Sequence, residues 1–253
     1  MKLFYRKFGE GQPLLILHGL FGQSDNWNTI GKQFAEQGFE VYLVDLRNHG
    51  LSPHSDAWDY RVMSDDILKL ITDADLQNVI LLGHSMGGKA AMQFAVEHCE
   101  LVSKLIVVDI APKYYPQHHK TVLQALNAVD FKVVKTRKEA EIILTRYISD
   151  LGTRQFLLKN FYWKENGEPG WRFNLKTITG QIENVGEETP KEAGCEAPTL
   201  FIRGEKSNYI LDEDLKLIRD IFPRSTLETI AGAGHWVHAE KPAAFFDCVL
   251  KFL

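Results

Sequence analysis

The sequence predicts an α/β fold, a mostly parallel β-sheet flanked by helices on both faces, with a helical segment inserted late in the chain. Three observations predict it. Short apolar runs rich in Val, Ile and Leu alternate with segments of helical periodicity, the pattern of a sheet buried on both sides. The alternation stops at Pro112 and does not resume until about Thr189, and the patterns in between are helical. With 253 residues, 45% of them hydrophobic, the chain can bury a sizeable core as one large domain or as a domain carrying an insertion.

Lys2 to Phe8 is polar and reads as an edge strand. Leu14 to Leu17 and Val41 to Asp45 read as buried strands, with a helix over Ile30 to Gln37 between them. The next helical pattern covers Asp65 to Ala74; Ser64 is its expected N-cap, and two aspartates in the first turn suit the helix dipole. Val79 to Leu82 is a strand leading straight into a helix over Met86 to Glu97, and Leu105 to Asp109 is the strand after that. Within the insertion, helical patterns cover Thr121 to Val129, Arg154 to Phe161 and Leu175 to Asn184. A further one follows Thr136, which pairs with Glu139 in a capping box. A structureless loop of this length would be out of line with compact domains. The expected division is therefore a core formed by residues 1–111 and 190–253 and a helical cap formed by 112–189, with no strand in the cap. Thr199 to Ile202 and Thr226 to Ile230 are the last strands, Asp212 to Ile221 and Ala243 to Leu253 the last helices. Pro242 suits the opening turn of the final one.

A formal net charge of -4 provides no basic field for nucleic acid or an anionic membrane. Cys99, Cys195 and Cys248 form no CxxC pair and lie far apart in sequence, which argues for reduced thiols over a disulfide framework or zinc site. The N-terminus interleaves charge with apolar residues, unlike a signal peptide, and no apolar run reaches membrane-spanning length. The expectation is a cytoplasmic protein, monomer or homodimer, that binds neither nucleic acid nor membrane.

Gly83-His84-Ser85-Met86-Gly87 matches G-x-S-x-G between an apolar strand and a helix. That is the context of a nucleophile elbow, a sharp strand-to-helix turn that exposes the serine hydroxyl. The glycines leave room for backbone and helix to approach, and the helix N-terminus favours negative charge developing on a substrate. The backbone N-H of Met86, the residue after the nucleophile, is the first expected oxyanion donor.

Four stretches occur in order: "HGLFG" at His18 to Gly22, "VDLRNHGLS" at Val44 to Ser52, "GHSMGG" at Gly83 to Gly88, and "GAGHWVHAEKP" at Gly232 to Pro242. On them the chain resembles the α/β-hydrolase superfamily over essentially its whole length. The resemblance implies an α/β-hydrolase fold and a second oxyanion donor in the loop after "LLILHG", at Leu20 with Phe21 next in line. It also implies that His18 steadies that loop. Among nine histidines, His235 is the expected base. It follows the last strand in a small-residue loop, and the order Ser, acid, His suits this fold. His84 is expected to buttress the turn and His238 to face the surface or the cap. Asp45 should hold the "DLRNHGLS" loop with Arg47 as partner, while Asn48, where that motif often has glycine, implies a local backbone difference.

The acid is the open point. In many α/β-hydrolases it follows the strand at Thr199 to Ile202 in a G-x-x-D pattern, and Ser207 occupies the aspartate's place. A serine hydroxyl carries no charge to stabilise imidazolium. Asp109, at the end of "KLIVVDIAP" on the neighbouring strand, is the favoured acid, with Asp212, Glu205 and Asp214 as alternatives and a turn or helix cap as its competing role. The "VVDIAP" wording together with Ser207 resembles the YbfF-like bacterial esterase branch, in which the acid sits after this earlier strand. Ser207 is left as a secondary hydrogen-bond partner near His235.

The reading for function is a serine hydrolase that cleaves carboxylic esters or acyl thioesters by way of an acyl-enzyme, with water as the only co-substrate and no metal or organic cofactor. Residues 112–180 carry 12 Lys plus Arg against 6 Asp plus Glu, a balance of +6 that would favour an anionic leaving group such as that of an acyl-CoA. Aromatic residues of this region, including Tyr115, Phe156 and Trp171, should mostly pack the cap, and a few should line an acyl pocket. Open alternatives are a C-C hydrolase, peroxidase or lyase on the same fold, or a weakly catalytic ligand receptor.

Overall fold

The computed structural model describes residues 1–190 and 194–253; the second expected core stretch, from residue 190, runs through three residues outside that set. The chain opens with β1 (Phe4–Phe8), β2 (Gln12–Leu17), α1 (Asn28–Glu36), β3 (Phe39–Asp45), α2 (Tyr60–Asp73), β4 (Val79–His84), α3 (Met86–Glu97) and β5 (Val102–Val108). After an intervening segment come β8 (Thr199–Gly204), α8 (Leu215–Ile221), β9 (Ser225–Ile230), α9 (Val237–Glu240) and α10 (Pro242–Phe252). Seven of the strands form one sheet in the order β1-β3-β2-β4-β5-β8-β9. Only the edge strand β1 runs antiparallel, pairing Phe4 with Asp45; the other pairs are parallel. The fold is the expected mostly parallel sheet with helices on both faces.

Successive strand residues point to opposite faces, and here both faces are apolar because both are covered. Leu15, Leu17, Leu81, Leu105, Val107 and Phe201 pack one side with α2, α3 and the intervening segment. Leu14, Ile16, Leu43, Ile80, Ile106 and Val108 pack the other with Phe34 of α1 and Phe245 of α10.

α2 begins earlier than its periodicity implied. Asp59 is its N-cap, extended in backbone and accepting the Val62 N-H at 2.8 Å, whereas the expected cap Ser64 lies inside the helix and bonds the Glu97 carboxylate. Several polar residues precede the apolar run, and a carboxylate one turn upstream outcompetes the hydroxyl for the free N-H groups. The final helix keeps its proline at the start.

Between β5 and β8 lie α4 (Lys120–Asn127), α5 (Arg137–Thr145), α6 (Leu151–Leu158), β6 (Phe161–Trp163), β7 (Pro169–Trp171) and α7 (Leu175–Gly180), followed by a 3-10 turn over Ile182–Gly186. The Thr136–Glu139 capping box at α5 is present. Three expectations are corrected. The helix expected over Arg154 to Phe161 starts one turn earlier, at Leu151, because Asp150 caps it, accepting the Thr153 N-H at 2.6 Å, and it ends at Leu158. The segment also contains strands: β6 and β7 pair as a hairpin whose turn places Gly167 at φ 80°. The helix expected over Leu175 to Asn184 is likewise split at Gln181. Trp171 stacks on Phe173 and meets Phe131 and Phe161 edge-on, so the hairpin is held by aromatic packing. Tyr114, Tyr147 and Trp163 are exposed instead.

The expectation of reduced thiols is also corrected, since Cys99 and Cys195 form a disulfide, with Cα atoms 5.4 Å apart. The physical reason is topological. Cys99 precedes β5, Cys195 precedes β8, and these strands are parallel neighbours, so residues 96 apart in sequence meet at one end of the sheet. Among the described residues no helix is long and apolar enough to cross a membrane.

Candidate active site

The site lies at the C-terminal ends of the sheet strands, where open α/β sheets hold their ligands. β4 delivers Ser85 on a turn with φ 54° and ψ -118°, a conformation that costs a non-glycine residue roughly 1–3 kcal/mol. The surroundings impose it: the Ser85 N-H donates to the Val108 carbonyl at 3.0 Å, and its own carbonyl accepts the Lys89 N-H of α3. A Cβ on Gly83 would collide with the Gly87 carbonyl, and one on Gly87 with the Leu17 carbonyl. The turn is thus closed too tightly for a side chain at position 83 or 87.

His235 follows β9 in the loop ahead of α9. Its Nε2 lies 3.1 Å from Ser85 Oγ and its Nδ1 2.7 Å from Asp109 Oδ2. Asp109 follows β5 at φ 53° and is fully buried. Its other carboxylate oxygen accepts the Gly204 N-H at 3.0 Å, and Ser207 Oγ donates to the same oxygen as His235. Ser207 therefore lies near His235, as expected, and its hydroxyl bonds Asp109 at the oxygen that also meets the imidazole. The alternative acids are engaged elsewhere: Asp212 with Arg203, Asp214 with Lys113, and Glu205 with the Gly232 N-H.

Met86 opens α3, so its N-H belongs to the helix's first turn, where no intrahelical acceptor exists. Leu20 lines the cavity above Ser85 in a loop closed by the Gly22 N-H donating to the Gly19 carbonyl. Phe21 takes φ 60°, and its carbonyl accepts from Asn160 Nδ2 at 2.8 Å, a clamp from the intervening segment that no sequence signal marked. His18 donates from Nδ1 to the Gly19 carbonyl and accepts the Leu46 N-H on Nε2, and burial lowers its pKa to about 4. His84 Nε2 bonds the His235 carbonyl at 2.9 Å, and burial holds it neutral, its pKa well below the ordinary value. His238 is buried and stacked on Trp27 at 3.9 Å; it lines the cavity over Ser85 together with Val122 and Phe156 of the intervening segment, so of the two expected orientations it takes the one toward that segment and not the surface.

Asp45 does hold the following loop, accepting from the Ser24 and Leu51 N-H groups. Arg47 is not its partner; its guanidinium pairs with buried Asp66 at 2.7 Å, which lies on the same side once α2 starts at Tyr60. Asn48 takes φ 65°, the left-handed region that glycine also adopts and asparagine tolerates. Its side chain ties the loop to Ser55 and Asn174.

A cavity of about 540 Å³ opens over Ser85, walled by Leu20, Trp27, Val122, Phe156 and Trp236. On its other side Ser85 borders a narrow space of about 20 Å³ with Tyr60, Lys89 and Tyr115. Lys89 is buried and donates to the Lys113 and Glu187 carbonyls, with burial lowering its pKa to about 7. Sequence reading singled out neither Lys89 nor Tyr209, whose ring also borders both spaces.

A family model described as alpha/beta hydrolase fold matches residues 12–140. The chain is 37% identical to the sn-1-specific diacylglycerol lipase ABHD11 of Danio rerio, over 97% of this chain and 79% of that protein. It is 36% identical to esterase YbfF of Escherichia coli (strain K12), over 95% of this chain and 92% of that one. A solved marine microorganism esterase superposes with a TM-score of 0.96 at 45% identity, covering all of both chains. With its sheet order, elbow and relatives in agreement, the chain belongs to the α/β-hydrolase fold family.

Proposed function

We propose that the protein is a serine hydrolase that cleaves carboxylic esters through Ser85, His235 and Asp109. The observation that supports this best is the unbroken hydrogen-bonded line from Ser85 Oγ through the His235 ring to the Asp109 carboxylate. In this reading His235 Nε2 takes the hydroxyl proton as Ser85 Oγ attacks the ester carbonyl carbon. The N-H groups of Leu20 and Met86 receive the oxyanion. The imidazolium returns its proton to the departing alkoxide, leaving an acyl-enzyme. His235 then deprotonates a water that attacks the acyl carbon, and collapse frees the acid and restores Ser85. Asp109 accepts the Nδ1-H, fixes the tautomer and balances the imidazolium charge. The Gly204 N-H and the Ser207 hydroxyl in turn hold that carboxylate in place.

Residues 112–189 act as a cap on a core of 1–111 and 190–253. The cap supplies Val122 and Phe156 to the cavity wall, an apolar lining suited to the acyl part of a substrate. The diacylglycerol lipase relative fits that reading. Thioesters with anionic leaving groups are the second substrate class, favoured by the cap's +6 balance and by Lys159 on the cavity wall.

An active-site serine probe combined with p-nitrophenyl ester turnover tests the proposal. Wild type should be labelled and turn over, and Ser85→Ala should do neither. An unlabelled wild type without Ser85-dependent turnover would make the protein a ligand receptor. Over a salt series, a salt-sensitive advantage for CoA thioesters would place them among its substrates, and its absence would remove them.

A further inference from the structure

We propose that Tyr209 is a positioning residue for the base, holding the His235 ring in the plane that its two in-line hydrogen bonds leave free. The inference rests on the serine-hydrolase reading above. Bonds from Nδ1 to Asp109 and from Nε2 to Ser85 fix the two nitrogen ends of the imidazole, yet both lie in the ring plane. Neither gives the ring a contact across its face, and tipping of the ring out of its plane carries Nε2's lone pair off Ser85 Oγ. Something has to press on a face. The Tyr209 ring does so, stacked on His235 at 3.9 Å between centroids and 19° between planes. An aromatic face also favours the imidazolium that forms when the proton is taken.

Tyr209 is itself fixed at three points. Its hydroxyl donates to His118 Nε2 at 2.6 Å, a direction set by His118 Nδ1, which donates to the Pro116 carbonyl. Its carbonyl accepts the Tyr115 hydroxyl. Its N-H donates to Ser207 Oγ at 3.3 Å, the hydroxyl that bonds Asp109. Residues 207–209 therefore steady both partners of the nucleophile, the acid through Ser207 and the base through Tyr209. Two of the three anchors, Tyr115 and His118, come from the first residues of the cap, so base alignment depends on that segment being seated.

The test compares Tyr209→Leu and Tyr209→Met, which fill the site without a planar face, with Tyr209→Phe, which keeps the face and loses only the hydroxyl. The readouts are kcat and KM for a p-nitrophenyl ester and the low-field proton resonance of His235 Nδ1-H. A folded Leu or Met variant should lose kcat by about 10-fold or more, since small misplacements of reacting groups are costly, with KM near wild type and the resonance broadened. Tyr209→Phe should recover most of the kcat and the sharp resonance. Wild-type kcat and resonance in a folded Leu or Met variant would overturn the inference, as would a change confined to KM. If Ser85→Ala still turned over, the serine reading would fail first; if Ser85→Ala were dead and the Tyr209 variants normal, only this inference would fall.

Discussion

In the proposed triad, Asp109 supplies the carboxylate that a G-x-x-D loop would place at position 207, where this chain has serine. The carboxylate sits at the end of β5 and the hydroxyl that holds it comes from the loop after β8, adjacent strands whose C-terminal ends meet. Asp109 is fully buried and accepts from the Gly204 N-H, Ser207 and His235, the satisfaction that a buried carboxylate requires. Ser207 and His235, both singled out from the sequence, are therefore each within bonding distance of the Asp109 carboxylate. What the sequence could not show is the order of contact. A serine at the vacated position reads equally well as a partner for the histidine or for the acid, and the choice depends on loop geometry alone. Tyr209 escaped notice because a ring stacked on an imidazole leaves no spacing signature.

At the scale of elements, legibility followed periodicity. α3 was readable to its ends because the glycine-rich elbow fixes where it starts, and the buried strands were readable because both their faces are apolar. The β6–β7 hairpin was missed: its strands are three residues each, too short for alternation to register, although Asn166-Gly167 is a turn signal. The disulfide was missed for a related reason, since proximity of Cys99 and Cys195 follows from β5 and β8 being neighbours and not from spacing. It closes a loop of about 96 residues; disulfides typically contribute roughly 2–4 kcal/mol, and loop-closure entropy alone gives about 4.7 kcal/mol for a span near 100 residues. Cys99→Ser should accordingly lower the urea midpoint by an equivalent amount while leaving kcat unchanged, because neither cysteine touches the site. An unchanged midpoint would mean that the bond does not form in solution.

Across the whole molecule, histidines kept neutral by burial contribute to acid stability. Burial lowers the pKa of His18 to about 4 and of His49 and His238 to about 3, against 6.5 in the unfolded chain. Between those values the unfolded state binds the extra protons, so stability rises with pH there. The contribution is complete above pH 6.5 and is lost as pH falls toward 3–4, by up to about 1.4 kcal/mol per pH unit for each histidine. Urea midpoints should therefore drop steeply from pH 6.5 to 4.5, and His238→Phe, which keeps a ring against Trp27, should flatten that slope. A slope identical to wild type would show that His238 titrates normally in the fold.

The claim on which the whole account turns is that the acid has moved to β5. It is tested by measuring kcat/KM for a p-nitrophenyl ester in Asp109→Asn and Asp212→Asn side by side. Asp109→Asn should cut turnover by up to about 10⁴-fold, as loss of the acid does in well-studied triads, while Asp212→Asn, whose carboxylate faces solvent beside Arg203, should remain near wild type. Near-wild-type turnover in Asp109→Asn with loss of turnover in Asp212→Asn would contradict it.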